Sequence, residues 1–543
     1  MTDDRRQRHG RSELAHLLQR LRRGARESVY LDPGFVAIDT RALAAFRVSA
    51  GLLIIADVLL RSRNFTFFYT EDGAVPLSLA QQMSADGAFS IFYYTTNSTV
   101  IAALFVLHVL IALQLIVGYR TRLATILSFL LVISLDHRNP LVLSYADTLF
   151  RMLLFWAIFL PLGERWSVDA LYADSRPREQ ISSLASAAIL IQIVYMYVLN
   201  GYHKRESELW TGGEATPLIM GLDDTTFLLG EFTRNVPTLL RYGGLTWYYM
   251  LLFAWLLLLL RGRARTLLVA MFVGGHASFA LTVRIGAFPY VAIAGLLLFL
   301  QSPFWEDLTA LRRYASSGRL RADPLRSTLV RLGATFPRLR FGIGPETRAS
   351  LARAGRIGST VVVAIAVVSI LVIPALGHLP VANSLEDDDG PAERIDDTAS
   401  KLGVSQPVWT VFAPHPRTSD SYYVFPAVDE SGDRIDAYNG RSLTYERPYD
   451  ELQRQYDTYR ERFYMSSVSR GGPDDVVSET LADHLCSTWE DEHGESLTHL
   501  NMYVVVEDVT LETIDNPENR DRDVRRFYTH GCDDNEPKAI DPP

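Results

Sequence analysis

Up to about residue 376 the chain is a succession of apolar runs of bilayer-crossing length, and this limits its fold more than any other feature. A hydrocarbon core takes roughly 20 apolar residues per helix, and backbone polar groups inside it must be satisfied within the protein. Fewer suffice where helices are short and packed against neighbours, and nine runs then read as spans, approximately 40–60, 99–118, 122–136, 145–162, 183–202, 245–260, 265–283, 286–301 and 358–377. A polytopic α-helical membrane protein of about nine transmembrane helices is therefore expected. Arginines orient it, because cytoplasmic loops carry an excess of positive charge. An inside N-terminus holds the arginines at 5–26, and even-numbered spans return to Arg120 and Arg122, to Arg165, Arg176 and Arg178, and to Arg261, Arg263 and Arg265. The segment 303–357 adds 11 arginines against four acids. An odd number of spans then leaves the C-terminus extracellular, in a multi-pass protein of the cell membrane.

The composition changes after the last run. Residues 378–543 hold 36 acidic side chains against 15 basic ones, which argues against nucleic-acid binding. Such a lysine-poor, acidic surface stays hydrated at high salt, the pattern of a halophilic chain. Alternating strands such as 502–506 and 422–425, with a helical stretch near 448–466, predict an acidic α+β extracytoplasmic domain. Both cysteines, Cys486 and Cys532, fall there, and form either one disulfide or two thiols; neither has metal-ligand spacing. The predicted order is a basic cytoplasmic segment 1–33, a helical membrane domain 34–305, a basic cytoplasmic linker 306–357, the last span 358–377 and the acidic domain 378–543.

Lys204 stands out chemically. It is one of three lysines, with Lys401 and Lys538, among 53 basic residues, and it closes an apolar run in Asn200-Gly201-Tyr202-His203-Lys204. A guanidinium stays protonated, whereas a lysine amine can be desolvated into a neutral base. The plainer reading is a lysine snorkelling at a helix end. Other ionisable groups at membrane depth are Arg47, Asp57, His108, Asp147, Arg151, His276 and Arg284, and such groups face a cavity or a partner. Asp147 and Arg151, four apart, are placed to pair on one helix face, and His276 reads as a helix–helix hydrogen-bonding residue. Asp136, His137, Arg138 and Asn139 mark an outer mouth, and 225–241 is an amphipathic stretch suited to the membrane interface.

Trp166-Ser167-Val168-Asp169, followed without a gap by Gln192, Tyr197, Gly201 and Lys204, resembles the vitamin K-dependent gamma-carboxylase family and the wider horizontally transferred transmembrane (HTTM) domain family. Phe68-Tyr69-Thr70-Glu71-Asp72-Gly73, Gly118-Tyr119-Arg120-Thr121-Arg122, His137-Arg138-Asn139-Pro140 and the 406–414 segment QPVWTVFAP carry the same resemblance, which covers about 34–305 and, more weakly, the tail. It implies a reduced isoprenoid quinone as cofactor, a menaquinol or a molecule like vitamin K hydroquinone. Lys204 falls at the family's base, which deprotonates the hydroquinone; oxygen then adds, an epoxide forms, and a glutamate gamma-carbon is carboxylated. Gln192, Tyr197, Trp210 and His137 would hold the quinol, with Gln192 and Tyr197 on one helix face. His203 stands where the family has a first lysine, and Asp147 or His137 replaces a histidine of the family.

Two function classes follow. One is a quinol-dependent oxygenase or carboxylase (a lyase) with Lys204, His203 and Asp147 as catalytic residues, membrane lipid around it and a protein or peptide substrate at the outer face. It requires Lys204, His203, Gln192, Tyr197 and Asp147 to line one cavity. The other is a non-catalytic membrane scaffold or a lipid- or quinone-binding protein. A transporter ranks below both, because inverted repeats are not evident.

Overall fold

A computed structural model describes residues 34–315, 345–377, 397–471 and 475–542, together with Arg331 and Gly333. The basic segment 1–33, most of the linker 306–357 and the acidic stretch before residue 397 lie outside the described residues. The membrane part is helical: α1 (Thr40–Arg63), α2 (Ser98–Val117), α3 (Thr121–Arg138), α4 (Tyr145–Ala157), α5 (Leu184–Lys204), α6 (Pro237–Leu252), α7 (Gly262–Thr282), α8 (Phe288–Leu296) and α9 (Pro345–Ala366). Helix starts follow from local chemistry. Asp39, Asn97, Ser144 and Ser183 accept amide protons at the first turns of α1, α2, α4 and α5, where backbone donors have no intrahelical partner. Gly118 ends α2 in the left-handed region at φ 72°, a conformation that costs glycine little.

Among the described residues, five helices are long and apolar enough to cross a membrane: α1, α2, α5, α7 and Arg353–Gly377; a bent pair, Phe288–Phe299 with Ser302–Arg312, would make a sixth. The other expected spans are helices of a different kind. α3 carries Arg122, Asp136 and Arg138, α4 is only 13 residues long, and the run at 245–260 breaks between Leu252 and Leu256. The run at 286–301 bends by 101° where it meets the next helix. Composition marks apolar runs but not where a helix breaks inside them, so the count of nine does not follow from the helices described.

At the Arg-rich end, the Trp166–Asp169 motif is a structural clasp. The Asp169 carboxylate accepts from Arg120 N, Thr121 N and Thr121 Oγ1, and buried Arg47 donates to the carbonyls of Leu162, Arg165, Trp166 and Ile116. The amphipathic stretch keeps Leu228, Phe232, Leu239 and Tyr242 exposed, the face an interfacial segment would give to lipid.

The C-terminal domain is α+β. Strands β1 (Ser419–Val424), β2 (Pro426–Asp429), β3 (Arg434–Asp436), β4 (Arg441–Ser442), β5 (Leu497–Asp508) and β6 (Arg522–Gly531) form one antiparallel sheet in the order β1-β5-β2-β3-β4, with β6 also on β5. Its helices are α10 (Tyr459–Val468) and α11 (Val476–His493). The helix expected near 448–466 thus begins later, and α11 is additional. Cys486 and Cys532 are joined as a disulfide between α11 and the chain after β6. Ion pairs bind this domain to the loop after α5: Arg520 Nη1 meets the Asp420 carboxylate at 2.7 Å, the amides of Asp223 and Asp224 donate to the same carboxylate, and Arg447 and Arg234 hold Asp223.

Candidate functional site

Lys204 ends α5, and helix geometry selects what stands beside it. Seven residues are nearly two turns, so Tyr197 lies on the same face as Lys204; five residues correspond to about 140°, so Gln192 does not share the face of Tyr197. Between α5, α6 and α7 lies an apolar cavity of about 560 Å3, and Lys204, Tyr197, Trp210, Asn200, Trp247 and His276 all line it. Lys204 is 2% exposed. Its Nζ donates to the carbonyls of Val411 and Phe412, both at 2.8 Å, and stands 3.7 Å from the centre of the Trp210 ring. Among the described residues it pairs with no carboxylate.

The acceptors come from the 406–414 segment, which reaches from the C-terminal domain into the mouth of the bundle. Asn200 Nδ2 donates to the carbonyls of Trp409 and Val411 at 2.7 and 3.0 Å, and Trp210 Nε1 donates to that of Phe412 at 2.9 Å. Trp409 is fully buried and its Nε1 donates to Gln406 Oε1. Tyr145 shares a 2.8 Å hydrogen bond with Thr410. Carbonyls turned toward a lysine and an asparagine make this segment the lid of the cavity on the Lys204 side. Deeper in, the Tyr197 hydroxyl and His276 Nε2 share a 2.7 Å hydrogen bond, and Trp247 packs edge-on against His276.

Residues 35–305 match the family model of the HTTM domain. The chain belongs to the HTTM family. Neither curated proteins nor solved structures give a match.

Within this HTTM domain the expected site residues separate. Lys204, Tyr197 and Trp210 meet at one cavity, whereas the required set of five does not. Gln192 is buried one side away, in a reciprocal amide pair with Gln406 at 3.2 and 2.7 Å, and so braces the lid instead of lining the cavity. His203, next to Lys204, turns about 100° from it and rests against Tyr202. His137 is held by its Nδ1 on the Phe89 carbonyl at 2.8 Å. Asp147 lies in a different cavity, where it caps α4 through Ser144 and pairs with Arg460 at 2.8 Å. The expected Asp147–Arg151 pair is also absent: Arg151 binds Asp136 at 3.0 Å, because Arg460 from the C-terminal domain takes the Asp147 side. His276 acts as a hydrogen-bonding residue between helices, as expected from its place in the run.

Asn200 and the carbonyls of 409–412 were not foreseen as site groups. The available signal was that a polar asparagine one turn before Lys204 and a second tryptophan-bearing motif both need burial partners.

Proposed function

We propose that the cavity beside Lys204 binds the head group of a reduced isoprenoid quinone, menaquinol or a relative of vitamin K hydroquinone, and that Lys204 is the base that acts on it. The observation that carries this reading is the convergence of Lys204, Tyr197 and Trp210 on one apolar cavity of about 560 Å3. The residues fit such a group: an apolar wall suits a prenyl tail, and the polar groups are few, Lys204 and Asn200 at the lid and the Tyr197–His276 pair deeper in, as in small-molecule sites generally. A bound hydroquinone would supply phenolic protons and reducing equivalents.

The chain's own part can be stated atom by atom. Lys204 keeps two N–H groups on the carbonyls of Val411 and Phe412 in either protonation state, since a neutral amine still donates two. Its remaining position is either a third N–H or a lone pair. After taking a proton the ammonium is held by those carbonyls and by the face of Trp210, a cation–π contact. Trp409 and Phe412 keep water from the amine. The five-residue form of the enzymatic reading falls, because His203, Gln192 and Asp147 do not line the cavity; the form proposed uses Lys204 as the only base, beside Tyr197 and Trp210. In the same reading the Lys204 end faces outward, the N-terminus is cytoplasmic, the C-terminal domain is extracellular, and a peptide acceptor would approach from that side.

A second reading rests on one observation: both strong hydrogen bonds of Lys204 end on its own chain, so the lysine also serves as a latch between the two domains. A scaffold that binds quinol or lipid without chemistry would need no more. Incubating the purified protein with reduced menaquinone and oxygen, and assaying for the epoxide, separates the two. The enzymatic reading expects product from the native chain and none from Lys204→Arg, with quinol still bound. Absence of product from both, with binding intact, favours the scaffold.

A further inference from the structure

A second cavity, of about 610 Å3, lies among α1, α4, α7, α8 and the start of α10. It touches the first cavity only through the wall residue Val283. Leu53, Leu60, Phe150 and Ile293 form an apolar side, and Leu52, Ala56 and Tyr290 stand exposed at its rim, on the outer surface of the bundle. The opposite end is ionic. Arg61 binds Asp57 at 2.8 Å and Asp136 at 2.6 Å, Arg151 binds Asp136, and Arg460 binds Asp147 and Asp57. Arg284 is spent on the carbonyls of Gln453, Tyr456 and Asp457.

Among the residues that line the cavity, two atoms at that end are left over. The Tyr459 hydroxyl and Arg460 Nε are shielded from solvent and have no hydrogen-bond partner among the described residues, in side chains 8% and 3% exposed. A buried donor without an acceptor is unfavourable, so the pair calls for an oxygen. The charge balance says which kind. The arginines that line the cavity or pair with its aspartates are Arg61, Arg151, Arg284 and Arg460, against Asp57, Asp136 and Asp147, which leaves one positive charge in excess. An apolar channel that opens at the bundle surface and is walled at its inner end by the two side chains that carry these donors, with one surplus positive charge, matches an amphiphile with a single negative charge.

We infer that this cavity is a second amphiphile site of the HTTM domain, separate from the Lys204 cavity, and that it takes a long-chain carboxylate whose head accepts hydrogen bonds from Tyr459 Oη and Arg460 Nε. The chain enters past Ala56 and lies against Leu53, Phe150 and Ile293.

Native mass spectrometry of the full-length, detergent-solubilised protein titrated with stearate, methyl stearate or stearylamine tests this. Saturable stearate binding is expected, with methyl stearate weaker and stearylamine not retained. Tyr459→Phe removes only the hydroxyl and should weaken stearate about tenfold, the effect of one hydrogen bond to a charged group. Ala56→Trp, at an exposed position that tolerates bulk, should abolish it. Lys204→Ala should leave it unchanged, which keeps this result independent of the quinol reading. Absence of saturable stearate binding (water alone satisfying the donors), equal retention of stearylamine, or stearate affinity untouched by both Tyr459→Phe and Ala56→Trp would overturn the inference.

Discussion

Lys204 and Trp210 end on the same atom: the ammonium nitrogen and the indole Nε1 both donate to the Phe412 carbonyl, at 2.8 and 2.9 Å, while the nitrogen sits 3.7 Å from the ring centre. One backbone oxygen of the C-terminal domain thereby fixes the amine, the aromatic face beneath it and the lid above the cavity.

Replacing Lys204 by Met keeps an unbranched apolar stem, one atom shorter, and removes the amine that donates both hydrogen bonds. The carbonyl of Phe412 keeps Trp210 and that of Val411 keeps Asn200, so the fold survives, but the lid loses its central tie. Hydrogen exchange should speed up in 406–412 and remain unchanged in β5. Equal protection of the lid in both proteins would show that Lys204 does not hold it.

Gly201 sets the distance between α5 and α6. A Cβ there would meet Leu252 N at 2.9 Å and the Leu251 carbonyl carbon at 3.0 Å, and backbone cannot swing aside as a side chain can. Gly201→Val should cost about 1–3 kcal/mol in unfolding free energy and weaken quinol binding, since Lys204 is three residues further along the same helix. Retained stability with retained binding would contradict the close approach.

Arg520 is fully buried and faces Asp420 at 2.7 Å, with Asp223 at 3.0 Å. Arg520→Met leaves buried carboxylates short of their counter-charge, which typically costs about 3–5 kcal/mol. A large drop in the thermal midpoint of the solubilised protein is expected, and a shift of a degree or less would mean that the pair does not anchor the domain.

Glu461, in the first turn of α10, is pushed up to about 6 chiefly by burial, although Asp457 N and the Tyr438 hydroxyl donate to it. A carboxyl raised on folding binds its proton more tightly in the native state. Its contribution is therefore present below its unfolded value of 4.5 and is lost as pH rises toward 6. On the order of 2 kcal/mol is at stake for such a shift. Between pH 4 and 7 the native chain should lose stability relative to Glu461→Gln by that amount; parallel profiles would contradict it.

Much of this was legible in the sequence, for identifiable reasons. Apolar runs announced a membrane bundle, the acidic tail a separate α+β domain, and the lone lysine at the end of a run a buried amine, because each rests on composition or periodicity. Gln192 and Asp147 were misplaced because linear order does not give rotation: Gln192 is 12 positions before Lys204, about 18 Å along a helix and a third of a turn away. Arg460 was invisible for another reason. It lies in a different domain, and a partner that arrives from 313 residues away leaves no local trace beside Asp147. The 406–414 motif could be seen but not aimed, since only the fold shows that its carbonyls turn toward Lys204.

The most direct test of the account is photolabelling of the solubilised protein with an azido-menaquinol, followed by mapping of the modified residues. The account predicts label on α5 and α6 around Tyr197 and Trp247 and on Trp210, competed by unmodified menaquinol. Label confined to the cavity of Asp57 and Tyr459, or spread over the bundle surface without competition, would contradict it.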